Sequence, residues 1–228
     1  MKKYGKKYQE ALKLIDTKKL YTVHEACELI KKTSVTKFES GVGLSMHLNI
    51  DTRQADQQIR GTVVLPHGTG KSVRVCAITS KVDDAKAAGA DFAGGKELLE
   101  KILGGWFEFD VMCATPEMMG EIGKAGRVLG PKGLMPNPKV GTVGPDVKKM
   151  VSELKAGKVE YRADKDGNIN LLVGKVGFDT EKLEENINTI INQIIKVRPS
   201  AVKGTYIFNS SIHTTMGPSI KLAVSDQK

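Results

Sequence analysis

The sequence predicts two domains. One is a discontinuous α+β domain of split β-α-β-like build, assembled from residues 1–67 and 159–228. The other is a three-layer α/β domain, Rossmann-like in its layering, inserted at 68–158. Three observations predict this. Apolar and polar residues alternate with period two in both end regions, whereas short, continuously apolar runs alternate with helical stretches in the middle, as in a largely parallel sheet covered on both faces. The texture changes twice, at Pro66-His67-Gly68-Thr69-Gly70 and near Gly157. An insertion places its two crossings side by side, which usually permits hinge motion.

Residues 4 to 15 have helical spacing at Tyr8, Leu12 and Ile15, with lysines on the other side. A second helix opens at Thr22-Val23-His24-Glu25, which has capping-box form, and carries Ala26, Leu29 and Ile30 on one face. His24, in its first turn, reads as a surface residue. Val42, Leu44, Met46, Leu48 and Ile50 then alternate with Gly43, Ser45, His47 and Asn49, a strand with one buried and one polar face. A loop from Asp51 to Gln57 leads to a second strand, 59–65.

In the middle region the strand candidates are 73–79 and 109–114, and the helix candidates are 83–88, 96–103, 116–122 and 146–155. Gly126 to Val143 contains Pro131, Pro136 and Pro138 among four glycines, which excludes regular helix or strand and leaves a loop with a prescribed path. Arg127, Lys132 and Lys139 lie on it, so it is either a rigid connector or a functional loop. Beyond Gly157, strands 159–163 and 169–173 flank Asp164-Lys165-Asp166-Gly167, a hairpin signal. Thr180 opens a helix striped by Leu183, Ile187, Ile190, Ile191, Ile194 and Ile195 and ended near Pro199. Strand candidates 204–215 and 219–224 complete the chain.

A chain of 228 residues with 40% hydrophobic and 27% charged residues can bury a real core. Its apolar runs fall short of the ~20 residues that a membrane helix needs. The N-terminal lysines precede no apolar core, so no signal peptide is expected. Cys27, Cys76 and Cys113 lie far apart in apolar-periodic segments and read as buried thiols in a reducing cytoplasm, with no zinc spacing.

The net charge of +9 points to a polyanion, most often nucleic acid, or else to a merely soluble basic protein. Residues 1–67 and 159–228 hold 12 and 9 Lys/Arg against 7 and 8 Asp/Glu, a net +6, and residues 68–158 hold 14 against 11, a net +3. The terminal domain is therefore the expected principal grip. Aromatics are only 5%, which disfavours base stacking along an extended strand and suits folded RNA held by phosphates and shape.

Two motifs tempt. Gly68-Thr69-Gly70-Lys71-Ser72 resembles the end of a phosphate-binding loop, but Leu65 stands where the first glycine belongs, and a strand follows where a helix is needed. Asp164-Lys165-Asp166-Gly167-Asn168 imitates a calcium loop but has Ile169 and Lys175 at its sixth and twelfth positions. The four histidines, His24, His47, His67 and His213, are scattered, and nothing in their spacing proposes catalysis or a metal site.

Three pieces suit RNA. Lys37-Phe38 lies where a helix hands over to a strand, Arg162 to Lys165 brings charge to a hairpin tip, and Thr214-Thr215-Met216-Gly217 ends a strand in hydroxyls, a methionine and a glycine. Hydroxyls bond ribose 2′-OH groups and cations bond phosphates, while Met or Phe packs on a sugar or base. For each piece taken alone, Phe38 and Met216 in the core and Lys165 merely solvated is the competing reading.

LGPKGLMPNPKVGTV resembles the signature loop of the ribosomal protein L-one family, the stalk protein of the large ribosomal subunit. Further matches lie at Asp56-Gln57-Gln58-Ile59-Arg60-Gly61, Leu65-Pro66-His67-Gly68-Thr69-Gly70-Lys71, Thr115-Pro116-Glu117-Met118-Met119 and Thr214-Thr215-Met216-Gly217. They span nearly the whole chain in the family's order. The resemblance implies a similar two-domain fold and a non-enzymatic protein without cofactor, monomeric when free of RNA, on the large subunit in the cytoplasm. It implies contact with large-subunit rRNA at Lys37, Phe38, Asp164, Lys165, Gly167, Asn209, Thr215, Met216 and Gly217.

It also implies a movable stalk near the exit site, where Arg127, Lys132 and Lys139 face the departing transfer RNA, and repression of the protein's own messenger through an RNA mimic. Gly41 and Gly43 replace a hydroxyl and a carboxylate usual in the family, and Asn209 replaces a serine. The rivals from other classes are a nucleotide-dependent enzyme using Gly68 to Ser72 and a basic DNA-binding module.

Overall fold

A computed structural model of the protein describes residues 4–224, apart from the side chain of Ala55. The elements run α1 (Lys6–Lys13), α2 (Val23–Lys32), β1 (Gly41–Leu48), β2 (Arg60–Val64), β3 (Val75–Ile78), α3 (Val82–Ala87), β4 (Phe92–Gly94), α4 (Lys96–Leu103), β5 (Val111–Ala114), α5 (Met119–Ile122), α6 (Gly126–Leu129), α7 (Val147–Lys155), β6 (Lys158–Arg162), β7 (Asn168–Lys175), α8 (Thr180–Lys196), β8 (Ile207–Thr214) and β9 (Ser219–Lys221). Together they form a mixed α/β chain that divides into two compact units, Met1–Gly70 with Val159–Lys228, and Lys71–Lys158.

The first unit is built on a four-stranded sheet in the order β7-β1-β8-β9. Strand β1 lies antiparallel to both β7 and β8, and β8 lies antiparallel to β9. Val42, Leu44, Met46 and Leu48 of β1 are all buried, and they share one apolar cluster with Cys27 and Ile30 of α2 and with Leu183, Ile187, Ile190 and Ile194 of α8. The two helices therefore cover one face of the sheet. Helix α2 begins as its capping box predicts: Thr22 Oγ1 accepts from the Glu25 N–H, and the Glu25 carboxylate accepts from the Thr22 N–H.

Helix α8 buries one polar side chain in its apolar stripe. Asn186 is fully buried; its amide donates to Val173 O at 2.9 Å and Gly68 O at 3.0 Å, and its oxygen accepts from the His67 N–H at 3.2 Å. One side chain thus fixes the chain segment that leaves this unit. Strands β2 and β6 form a separate two-stranded sheet.

The second unit holds a parallel sheet in the order β4-β3-β5. Successive residues of its strands feed two different clusters. Cys76, Ile78, Met112 and Ala114 join Leu99, Ile102, Ile122 and Leu129, whereas Val75, Ala77 and Cys113 join Ala85, Val147, Val151 and Leu154. Both faces are covered, which is why these strands are apolar throughout. All three cysteines are buried, and burial pushes Cys27 and Cys76 up to about 12 and Cys113 to about 11.

Three expectations are corrected. The arms read as one hairpin part company, since β6 pairs with β2 while β7 pairs with β1. The turn itself forms, but the Leu48 N–H donates to Gly167 O at 2.9 Å and draws the far arm onto the longer β1 ladder. Gly126 to Val143 contains α6, a 3₁₀ turn at Pro138–Val140 and a bridge from Val143 to Ala114. Pro138 opens that turn, where its missing N–H has no partner to lose. Strand β4, only three half-buried residues of Phe, Ala and Gly, escapes the sequence pattern altogether.

Candidate nucleic-acid interface

The face of the four-stranded sheet opposite α2 and α8 is open. It presents Ser45 and His47 of β1, Asn168, Asn170 and Leu172 of β7, Asn209, Ser211 and His213 of β8, and Ser219 and Lys221 of β9, each exposed or half-exposed. Several are tied to each other. Ser45 Oγ donates to Asn170 Oδ1 at 2.7 Å, and His47 Nδ1 bonds Asn168 Oδ1 at 2.8 Å. A shallow pocket of about 380 Å³ is lined by Ser45, His47, Asn168, Asn170, Asn209 and Ser211, among others. Amides, hydroxyls and imidazoles offer both donors and acceptors, the inventory that ribose and base edges require.

One end of this face is built by the turn after β8. The Thr215 N–H donates to Gly41 O at 3.1 Å, and the Gly217 N–H donates to Thr214 O at 2.9 Å. Between them Met216 has φ 63°, the one non-glycine residue with positive φ among the described residues, and its side chain is 77% exposed. That conformation costs on the order of 1 kcal/mol for an L-residue, and strain of this kind collects at functional sites. A Cβ on Gly217 would overlap the Thr214 hydroxyl, so the turn needs glycine there. Phe38 lies three residues before Gly41 and is 62% exposed, with its carbonyl held by the Thr36 hydroxyl at 3.0 Å. Lys37 beside it is exposed too. Neither Phe38 nor Met216 belongs to the core.

The Asp164 turn closes the other end. Asp164 Oδ1 accepts from the N–H groups of Asp166 at 3.0 Å and Asn168 at 2.7 Å, and Oδ2 accepts from Asn168 Nδ2 at 3.2 Å. These bonds, the Asn168 N–H foremost, hold the carboxyl below the usual aspartate range. Its side chain is spent on shaping the turn. Gly167 has φ 76°, and a Cβ there would stand 2.9 Å from Leu48 O, so only glycine fits without a shift. Lys165 points to solvent while its carbonyl receives the Thr52 hydroxyl at 2.6 Å.

The structure thus gathers Lys37, Phe38, Thr215, Met216 and Gly217 at one end and Asp164, Lys165, Gly167 and Asn209 at the other. The length of β1 separates them, about 25 Å at ~3.4 Å per residue. The open face joins the two groups, and sequence reasoning named only Asn209 on it. Its signal was present as the polar half of the β1 alternation; matching polar positions on β7 and β8 needed the register to be read beside it. Gly41 and Gly43 lie under neighbours: a Cβ would stand 2.8 Å from Leu172 Cδ1 at the first and 2.7 Å from the His213 ring at the second. Burial of His213 holds its pKa below the usual histidine value.

Arg127, Lys132 and Lys139 are exposed in the second unit. Lys132 Nζ stands 4.0 Å from the centroid of the Phe107 ring, a cation–π contact. Asn137 Oδ1 accepts from the Lys139 N–H at 2.9 Å, and the Thr142 hydroxyl accepts from the Asn137 N–H at 2.8 Å, which pins the loop that carries them. The Gly68 to Ser72 segment leads into strand β3, and Lys71 Nζ is paired with Asp110 at 2.9 Å, so no helix N-terminus stands there to cradle a phosphate. No group of three or more His, Cys, Asp or Glu suited to a metal occurs among the described residues, and no helix there is long and apolar enough to cross a membrane.

Compared with known families, residues 30–218 match the Ribosomal protein L1p/L10e family.

Proposed function

The chain belongs to the ribosomal protein L1p/L10e family, a protein of the large ribosomal subunit in the cytoplasm, and from that premise we propose that it grips folded large-subunit rRNA with the open face of the β7-β1-β8-β9 sheet and the turns at its two ends. The observation that carries this reading is the exposure of Phe38 and Met216 beside the Thr215 turn, where both apolar side chains are withheld from the core. Lys37 and Lys165 supply phosphate contacts, Thr215 and Asn209 supply hydrogen bonds to ribose or base, and Gly217 permits close backbone approach. The mechanism is binding, without covalent chemistry.

In this reading the protein forms the movable stalk near the exit site and assists release of deacylated transfer RNA, which Arg127, Lys132 and Lys139 face. The same sheet face takes a mimic of the rRNA element in the protein's own messenger and represses its translation. Titration of the full chain against large-subunit rRNA and against its messenger, with cross-competition, tests the shared site. Mutual exclusion is expected; simultaneous, independent binding of both RNAs overturns it. Full affinity of Met216→Asp for rRNA, in a variant folded by circular dichroism, overturns the interface itself.

A further inference from the structure

The open face carries an aromatic feature that the contacts above do not use. Pairing of β8 with β1 is irregular between His47 and Leu48: Asn209 stands opposite His47 and Ile207 opposite Leu48, so Phe208 has no counterpart. A bulge of this kind turns successive side chains outward, and both Phe208 and Asn209 are exposed, Phe208 by 56%. The Phe208 ring stacks on the His47 imidazole, with centroids 5.7 Å apart and 25° between the planes.

The imidazole does not choose its own orientation. Asn168 spends its amide nitrogen on Asp164 Oδ2, so its oxygen is the acceptor for His47 Nδ1–H. A chain of bonds from the Asp164 turn through Asn168 to His47 therefore sets the plane on which Phe208 rests. Beside the imidazole lie the amides of Asn168 and Asn209, both lining the 380 Å³ pocket, and Asn209 brings a donor and an acceptor to it. Lys165 on the Asp164 turn and Lys221 on the lining of the same pocket are exposed and add positive charge to this part of the face.

We propose that the Phe208–His47 stack is a platform for one unpaired nucleobase of the bound RNA, which stacks on the outer face of Phe208 and offers its edge to Asn209. This rests on the RNA-binding reading above and deepens it, since a platform reads an unstacked base where the lysines read only phosphate. A flat, uncharged ring suits a base, the exposed cations suit its phosphates, and the Asn209 amide matches the polar edge of a base.

The test uses the full chain and transcribed large-subunit rRNA, reading affinity, its salt dependence and the chemical reactivity of unpaired bases. The wild type is expected to protect at least one such base. Phe208→Ala and Phe208→Leu are each expected to lose about tenfold in affinity, the usual scale for one base stacked on an aromatic ring, and to restore that base's reactivity. The salt slope should stay at the wild-type value, and Phe208→Tyr should retain both affinity and protection. Wild-type affinity and protection in the Ala and Leu variants overturn the platform, as does a loss accompanied by an altered slope or a lost circular-dichroism signature. With Met216→Asp weakened in the same assay, such a result spares the proposed interface. Failure of the wild type to bind the rRNA overturns both.

Discussion

Phe38 and Met216 show what a single side chain can and cannot reveal before folding. Both are apolar, and both flank strands, so taken alone each reads more readily as core than as surface. Their places in a bend and a turn, where no periodicity applies, kept exposure out of the sequence's reach. Because each is largely exposed, Phe38→Ser and Met216→Asp are expected to leave the urea midpoint unchanged while rRNA affinity falls by about tenfold or more. Lys165→Ala should lower affinity uniformly and reduce the slope of log K against log salt by about 1, as measured by titration across salt concentrations. Asp110 gives a residue-scale prediction of another kind. Lys71, and then the Arg74 N–H, hold its carboxyl down at about 2. A depressed aspartate adds stability that is present above its unfolded pKa of about 4 and is lost as pH falls through about 2. Asp110→Asn should therefore be less stable at neutral pH and show a flatter acid limb between those values in thermal melts.

At the scale of elements, α8 was legible from its stripe of Leu and Ile at three- and four-residue spacing, yet Asn186 on the same stripe was not. A polar residue among isoleucines gives no sign of which backbone groups await it. In the fold it holds Val173, Gly68 and His67 together. Asn186→Leu strands those groups without partners and should cost about 2–3 kcal/mol in urea unfolding, with rRNA affinity per folded molecule retained. Strand β1 was read with one buried and one polar face, and the structure agrees. Its partners were not legible, because pairing between Ser45 and Asn170 joins residues 125 positions apart. The same distance hid the fate of the Asp164 hairpin: local turn chemistry named the turn correctly, and a long-range ladder took the strand away. Gly167→Ala, forced against Leu48 O at positive φ, should destabilise by about 1–3 kcal/mol on the same measurement.

For the molecule as a whole, composition gave the sign of the partner and little of its place. The net +9 predicts a polyanion, and the excess on residues 1–67 and 159–228 names the unit, but the open sheet face is built of neutral amides, hydroxyls and imidazoles that no charge count detects. In the proposed interface, cations set how tightly RNA is held at a given salt, and the neutral face selects which RNA fits. The change of texture along the chain was legible because each unit keeps its own hydrophobic period, two for a half-covered sheet and continuous for a sheet covered on both sides.

Strands β2 and β6 are hydrogen-bonded neighbours, so the segments that lead out of the first unit and back into it are tied together on one small sheet. A flexible glycine linker can then join Gly70 to Val159. Excising residues 71–158 should therefore yield a shortened protein that refolds without its middle and carries the proposed RNA interface by itself.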